Sequence, residues 1–292
     1  MTTNNSKKSV TGVYNSQPSQ VGDGFTIRRP LPNTGLKQLS PFLLLDHAGP
    51  TEIPPSEYQR GVDEHPHRGF ETVTIVYSGA IEHRDSAGHA GKVGPGDVQW
   101  MTAGSGVVHE EKHGREFSQQ GGTLEMIQLW VNLPGAHKMT RPRYQEIVAD
   151  RIPAITASDS TVRVIAGTYQ DEVGPAQTFT EITMLDIRLE ANASVSLTLP
   201  SEFSTGLYIL KGSIRANDST AEESQLVTFG SEGQTMVLEA ATASRLLLLS
   251  GEPINEPVAS YGPFVMNNSQ ELVQAMRDYE QGNMGTLAAD IL

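Results

Sequence analysis

Two stretches of this chain repeat one another. Ile75-Val-Tyr-Ser-Gly79-Ala-Ile81-Glu-His-Arg-Asp85-Ser86 and Tyr208-Ile-Leu-Lys-Gly212-Ser-Ile214-Arg-Ala-Asn-Asp218-Ser219 keep register at an offset of 133. Each reads as strand, glycine turn, strand, so the chain is predicted to be a β domain present twice. A length of 292 residues suits two domains of that size. Pro153 and the polar run around it, between Val148 and Asp159, mark the boundary, giving domains 1–150 and 151–292.

Other segments point to the same class. Glu71–Tyr77, Thr123–Val131 and Ser194–Leu199 are β-branched or alternating and are bounded by Gly, Pro, Asn and Ser. Many short strands of this kind make a sandwich or barrel, an all-β fold. Near the C-terminus, Asn268 with Glu271 forms a capping pattern and Gly282 a stop. The helix between them carries Leu272, Val273, Met276 and Tyr279 on one face and is predicted to dock on a barrel.

No run approaches the roughly 18 apolar residues of a membrane span, and Met1–Gly12 lacks an apolar signal core, so the expected location is cytoplasmic. There is no cysteine, which excludes thiolate chemistry and leaves His, Asp and Glu as the strong metal ligands. Up to Gln145 the chain has 14 basic and 14 acidic residues; beyond it, 7 and 20. An acidic second half argues against nucleic acid as a direct partner. All eight histidines lie between His47 and His137, so imidazole chemistry belongs to the first domain. At the repeat offset His65 and His67 map onto Thr198 and Pro200, which makes the second domain a degenerate copy.

His65 and His67, two residues apart, share one face of an extended strand. His109 and Glu111 repeat that spacing about 40 residues later, after the turn Gly94-Pro-Gly96-Asp97. Two neighbouring strands could thus supply three nitrogens and one oxygen to a divalent ion: Fe(II), Mn(II), Ni(II), Cu(II) or Zn(II). Glu110 should point the other way. His113 continues the alternation into a Gly- and Gln-rich loop, and His47, His83, His89 and His137 read as surface or satisfied histidines. Phe70, Trp100, Met101 and Trp130 are candidates to wall a pocket for a flat substrate, with core packing as the default.

These segments resemble the two cupin motifs. His65-Pro-His-Arg-Gly-Phe-Glu-Thr-Val73, Gly96-Asp-Val-Gln-Trp-Met-Thr-Ala-Gly104, Leu129-Trp-Val-Asn-Leu133 and Gly262-Pro-Phe-Val-Met-Asn267 together resemble the pirin family, over nearly the whole chain. Pro41-Phe-Leu-Leu-Leu-Asp46-His and Gly251-Glu-Pro253 add to it. The resemblance implies two jelly-roll cupin barrels in tandem with a short C-terminal helix. It implies one metal, generally iron, held in the first barrel by His65, His67, His109 and Glu111. Glu71 matches the fourth ligand of most metal-binding cupins and so competes with Glu111, which the pirin resemblance and the spacing from His109 favour, leaving Glu71 a structural carboxylate or one that bonds a ligand imidazole. It also implies quercetin 2,3-dioxygenase activity, in which a flavonol is opened by O2 with Glu111 as the catalytic base. Some relatives resemble redox-responsive regulators instead, which would make a protein the partner and the acidic half a docking surface. A metal-assisted isomerase is a third reading, since the cupin fold does not fix function.

Overall fold

A computed structural model describes residues 6–287. Antiparallel strands dominate, and they form two compact units. Among the described residues one unit takes 18–27, 44–149 and 254–287, and the other takes 6–17, 28–43 and 150–253. This division differs from a single cut at 150, because the chain ends are exchanged. Val10–Asn15 adds an edge strand to Gln225–Phe229, with Val13 opposite Val227. The segment after Pro253 returns to the histidine-bearing unit.

Each unit pairs a seven-stranded sheet with a four-stranded one, the architecture of a jelly-roll barrel. In the histidine-bearing unit the small sheet runs Gly61–His67, Val107–His113, Ile81–Asp85, Ala90–Val93. Phe70–Ser78 is central in its large sheet, between Val98–Thr102 and Gly122–Asn132. Side chains alternate between the two faces of each strand. Ile81 and Val93 from the small sheet therefore meet Val76, Leu124 and Met126 from the large one inside the barrel.

The other unit repeats the plan with a different filling. Its small sheet runs Ser194–Thr198, Thr235–Ala240, Ser213–Ala216, Ser219–Glu222. Leu197, Ile214, Ala216 and Leu238 from that sheet close against Val164, Leu185, Leu207, Ile209 and Leu248 in one continuous apolar core. The repeat is visible at the turns: Gly79 and Gly212 both adopt positive φ, +79° and +91°, and Ile81 and Ile214 are both buried.

The last helix, Ser269–Glu280, is capped as its sequence predicts: Asn268 Oδ1 accepts from the Glu271 amide at 3.0 Å. Its buried face differs from the expected one. Leu272 and Ala275 are buried, with Met276 beside them, against Val108, Phe264, Met266 and Met284, while Val273 and Tyr279 are exposed. Arg68 Nη1 donates to Asp278 Oδ2 at 2.7 Å and ties the helix to the barrel. The loop expected after His113 contains a short helix, Arg115–Gln120, whose Phe117 packs on the core.

Candidate metal centre

The small sheet of the histidine-bearing unit aligns its polar side chains by register. His65 lies opposite His109 across one strand pair, with a bulge between His109 and Glu111. On the other edge of Val107–His113, His109 lies opposite Asp85 and Glu111 opposite His83. The period of two then turns His65, His67, His109, Glu111 and His83 to one face. One ligand nitrogen from each of His65, His67 and His109 lies within 4.8 Å of the others, and His83, His109 and Glu111 form a second such group sharing His109. Glu110, as its place between His109 and Glu111 requires, points away, accepting from Arg84 Nε at 2.6 Å.

Hydrogen bonds fix which nitrogen of two imidazoles carries the proton. A carbonyl only accepts, so His65 Nδ1 must donate to the Asp63 carbonyl at 2.7 Å and His67 Nδ1 to the Pro263 carbonyl at 3.3 Å. A neutral ring so held presents a lone pair at Nε2. His65 Nε2 lies 2.9 Å from His109 Nε2. Two nitrogens each about 2.1 Å from one ion, at right angles, stand about 3.0 Å apart, so the gap suits a shared cation. Burial, with His65 adding to it, pushes His67 down to about 3; burial, then His67, His65 and His83, holds His109 well below the usual imidazole range. Both are neutral at pH 7, as metal ligands must be. His109 and His67 are buried and His65 half-buried, which leaves the solvent side at His65.

The competing carboxylates fall on opposite faces of the large sheet. Thr74 Oγ1, from Phe70–Ser78, lies 3.2 Å from Glu111 Oε1 and 2.9 Å from Gln128 Oε1, so Thr74 faces the barrel interior. Glu71 is three residues away, an odd number, and its side chain points to the other face. There its Oε1 accepts from Thr102 Oγ1 at 2.6 Å, with Arg143 Nη2 at 3.9 Å. Burial raises Glu71 to about 7 against the pull of Thr102, Trp100 and Arg143. It belongs to neither imidazole group and bonds a threonine rather than an imidazole. A small cavity of about 50 Å³ is lined by Glu111, Asp46 and Gln128 among apolar side chains.

Phe70 and Trp130 stand against the ligands: their ring centroids are 5.0 and 5.3 Å from that of His67 and 4.4 Å from each other. Met101 packs with Ala103 and Val107, and Trp100, paired with Val73, is on the face of Glu71. His113 is buried edge-on to Phe25 at 5.0 Å and joins neither group. His47 pairs with Glu125 at 3.2 Å. His83 is the residue that sequence reasoning missed. It is buried beside His109, and the signal was the alternation Ile81, His83, Asp85, the same period of two that singled out His65 and His67.

Tandem jelly-roll barrels with a histidine-rich interior in one of them define a bicupin. Comparison with known proteins narrows the class: residues 24–131 match the Pirin family and 184–285 the Pirin C-terminal cupin domain. The chain belongs to the pirin family. A Pseudomonas aeruginosa protein provisionally named quercetin 2,3-dioxygenase is 47% identical over 94% of this chain and 98% of its own length. A pirin-like protein of Solanum lycopersicum is 38% identical, covering 90% and 88%. The crystal structure of a quercetin 2,3-dioxygenase from Acinetobacter baumannii is 43% identical and superposes with a TM-score of 0.93, covering 96% of this chain and 99% of that one. No helix among the described residues is long and apolar enough to cross a membrane.

Proposed function

We propose that the chain is a metal-dependent dioxygenase of pirin type that opens a flavonol such as quercetin with O2. The observation that carries this reading is the convergence of two neutral, buried imidazoles and half-buried His65 on one point, with the Glu111 carboxylate on the adjacent register position. The similarity to proteins named for that reaction supports it. His65, His67, His109 and Glu111 are the proposed ligands, and Fe(II) the proposed ion, with Mn(II), Ni(II), Cu(II) and Zn(II) open to the same donor set.

When bound, such an ion acts as a Lewis acid on the flavonol 3-hydroxyl. The residues supply the rest. His65, His67 and His109 hold their lone pairs inward and remain neutral throughout. Glu111 accepts the 3-hydroxyl proton, and Thr74, 3.2 Å from its Oε1, keeps that oxygen in place. Phe70 and Trp130 offer aromatic faces beside His67 against which a flat ring system can lie.

The test is O2 uptake on adding quercetin to anaerobically iron-loaded protein, with metal content measured on the same sample. Glu111→Gln should keep part of the metal and lose most turnover; His109→Ala should lose both. An unchanged rate in Glu111→Gln removes the base assignment. No uptake by iron-loaded wild type removes the dioxygenase reading and leaves a metal-bearing protein whose partner is to be sought among macromolecules.

A further inference from the structure

Behind His109, on the side away from His65, lies a buried chain of hydrogen-bonding groups that the proposed mechanism does not use. His109 Nδ1 is 3.4 Å from His83 Nδ1, and His83 Nε2 is 3.4 Å from Asp85 Oδ2. All three residues are buried, at 0%, 3% and 6% exposure. Asp85 is held in turn: its Oδ1 accepts from the amides of Ala87 at 2.9 Å and His89 at 3.0 Å, and His89 Nδ1 lies 3.0 Å from its Oδ2. Gln99 Nε2 approaches His83 Nδ1 at 3.3 Å, and the Tyr144 hydroxyl donates to Gln99 Oε1 at 3.4 Å. Tyr144 also stacks on His83, with ring planes 24° apart.

Donor and acceptor counting gives this chain one direction. A hydrogen bond between His83 and the ionised Asp85 requires a proton on His83 Nε2, since a carboxylate cannot donate. Gln99 Oε1 is taken by Tyr144, so its amide N–H faces His83 Nδ1, which must then be an acceptor. The one lone pair of His83 Nδ1 is then shared between the Gln99 amide and the Nδ1–H of His109, and His109 keeps its own lone pair on Nε2, the nitrogen 2.9 Å from His65 Nε2. The opposite order would set the lone pair of His83 Nε2 against a carboxylate and bring two N–H groups together at His83 Nδ1.

We infer that His83, anchored by Asp85, is a positioning residue that fixes the tautomer and orientation of His109 for metal binding. Outer partners of this kind typically change metal affinity by about 10- to 100-fold when removed. Aspartate, through two imidazoles, then stands in the place usually taken by one carboxylate or carbonyl. The inference rests on the metal reading of the three-imidazole cluster, but the bonds that set the direction of the chain, His83 to Asp85 and Gln99 to His83, involve no metal.

Two measurements test it on the full chain. In metal-free protein, side-chain nitrogen NMR should show His109 protonated at Nδ1 and His83 at Nε2, and Asp85→Asn should redistribute the proton on His83 while the backbone spectrum stays folded. Nickel(II) affinity, by chelator competition, should fall about 10- to 100-fold in Asp85→Asn and in His83→Gln, with the double variant no worse than either alone. A His109 protonated at Nε2 in metal-free wild type overturns the inference, as does a doubly protonated His83 or unchanged nickel affinity in both variants. Loss of all nickel binding in His83→Gln with none in Asp85→Asn makes His83 a ligand and also overturns it. Wild type that binds no nickel(II), iron(II) or zinc(II) at all refutes the metal reading instead, and the tautomer result still decides the positioning chain.

Discussion

Replacing Glu71 by Gln separates the two carboxylates that compete in the sequence. Glu71 is 1% exposed, and burial raises its carboxyl from the usual value near 4.5 to about 7. Thr102 at 2.6 Å, the indole N–H of Trp100 and Arg143 at 3.9 Å oppose the shift, in that order. Desolvation outweighs all three. A folded-state value above the unfolded one means that the folded chain holds the proton longer. Its stabilising effect is complete below about 4.5 and is lost as pH rises through about 7. About 2.5 pH units at 1.36 kcal/mol each gives a loss of about 3 kcal/mol in all, most of it between pH 5 and pH 8. Gln keeps an acceptor for Thr102 and cannot ionise. Glu71→Gln should therefore gain about 2–3 kcal/mol on wild type between pH 5 and pH 8, read by urea denaturation of both metal-free proteins. It should bind metal as wild type does. A stability difference that stays constant across that range refutes the desolvation argument, and lost metal binding would restore Glu71 as a ligand.

Three further outcomes follow from the same geometry. Lys138, lowered to about 8 chiefly by burial, donates to Gly69 O, Asn132 Oδ1 and Val265 O at 2.8, 2.7 and 3.0 Å; Lys138→Met strands these acceptors and should cost about 2–4 kcal/mol in urea denaturation. Asn268→Ala removes the cap of the last helix and should cost about 1 kcal/mol, with faster amide exchange confined to that helix. Adding nickel(II) at about 100 times its dissociation constant should stabilise the histidine-bearing unit by about 2.7 kcal/mol, and the gain should vanish in His109→Ala.

How far the sequence foretells this molecule depends on whether a feature is local to one strand. The strands at Glu71–Tyr77 and Thr123–Val131, the helix cap at Asn268 and the pairs His65/His67 and His109/Glu111 follow from periods of two and from turn residues, and the structure has strands or caps at each. Features that depend on pairing between distant strands were illegible. The alternation Ile81, His83, Asp85 puts His83 on one face of its strand, but His83 meets His109 because Ile81–Asp85 lies beside Val107–His113, a register that no local pattern states. Glu71 needed the opposite knowledge, that Thr74 faces inward. The helix face was misjudged because its direction is set by Val108 and Phe264, far away in the chain. The exchange of chain ends has the same origin, since Val10–Asn15 finds its partner more than 200 residues on.

The two units also show what a polar interior requires of a barrel. At the repeat offset, Thr74 corresponds to Leu207 and His83 to Ala216, both in the continuous apolar core of the other unit, as His65 and His67 correspond to Thr198 and Pro200. Each such replacement trades a group that must be hydrogen-bonded for one that only has to fit. The histidine-bearing barrel can keep its buried polar groups because they are paired in series: Thr74 on Glu111, with its one hydroxyl proton shared with Gln128, His83 and Asp85 on His109, backbone carbonyls on His65 and His67. Removing one link leaves its neighbour unsatisfied in a low-dielectric interior, so substitutions along one series should be non-additive. Different series, such as those touched by Thr74→Val and Asp85→Asn, are neighbours, since Thr74 lies opposite Gln99 and Glu111 opposite His83. The coupling between the two substitutions in stability should be smaller in metal-free protein than when metal joins the two series.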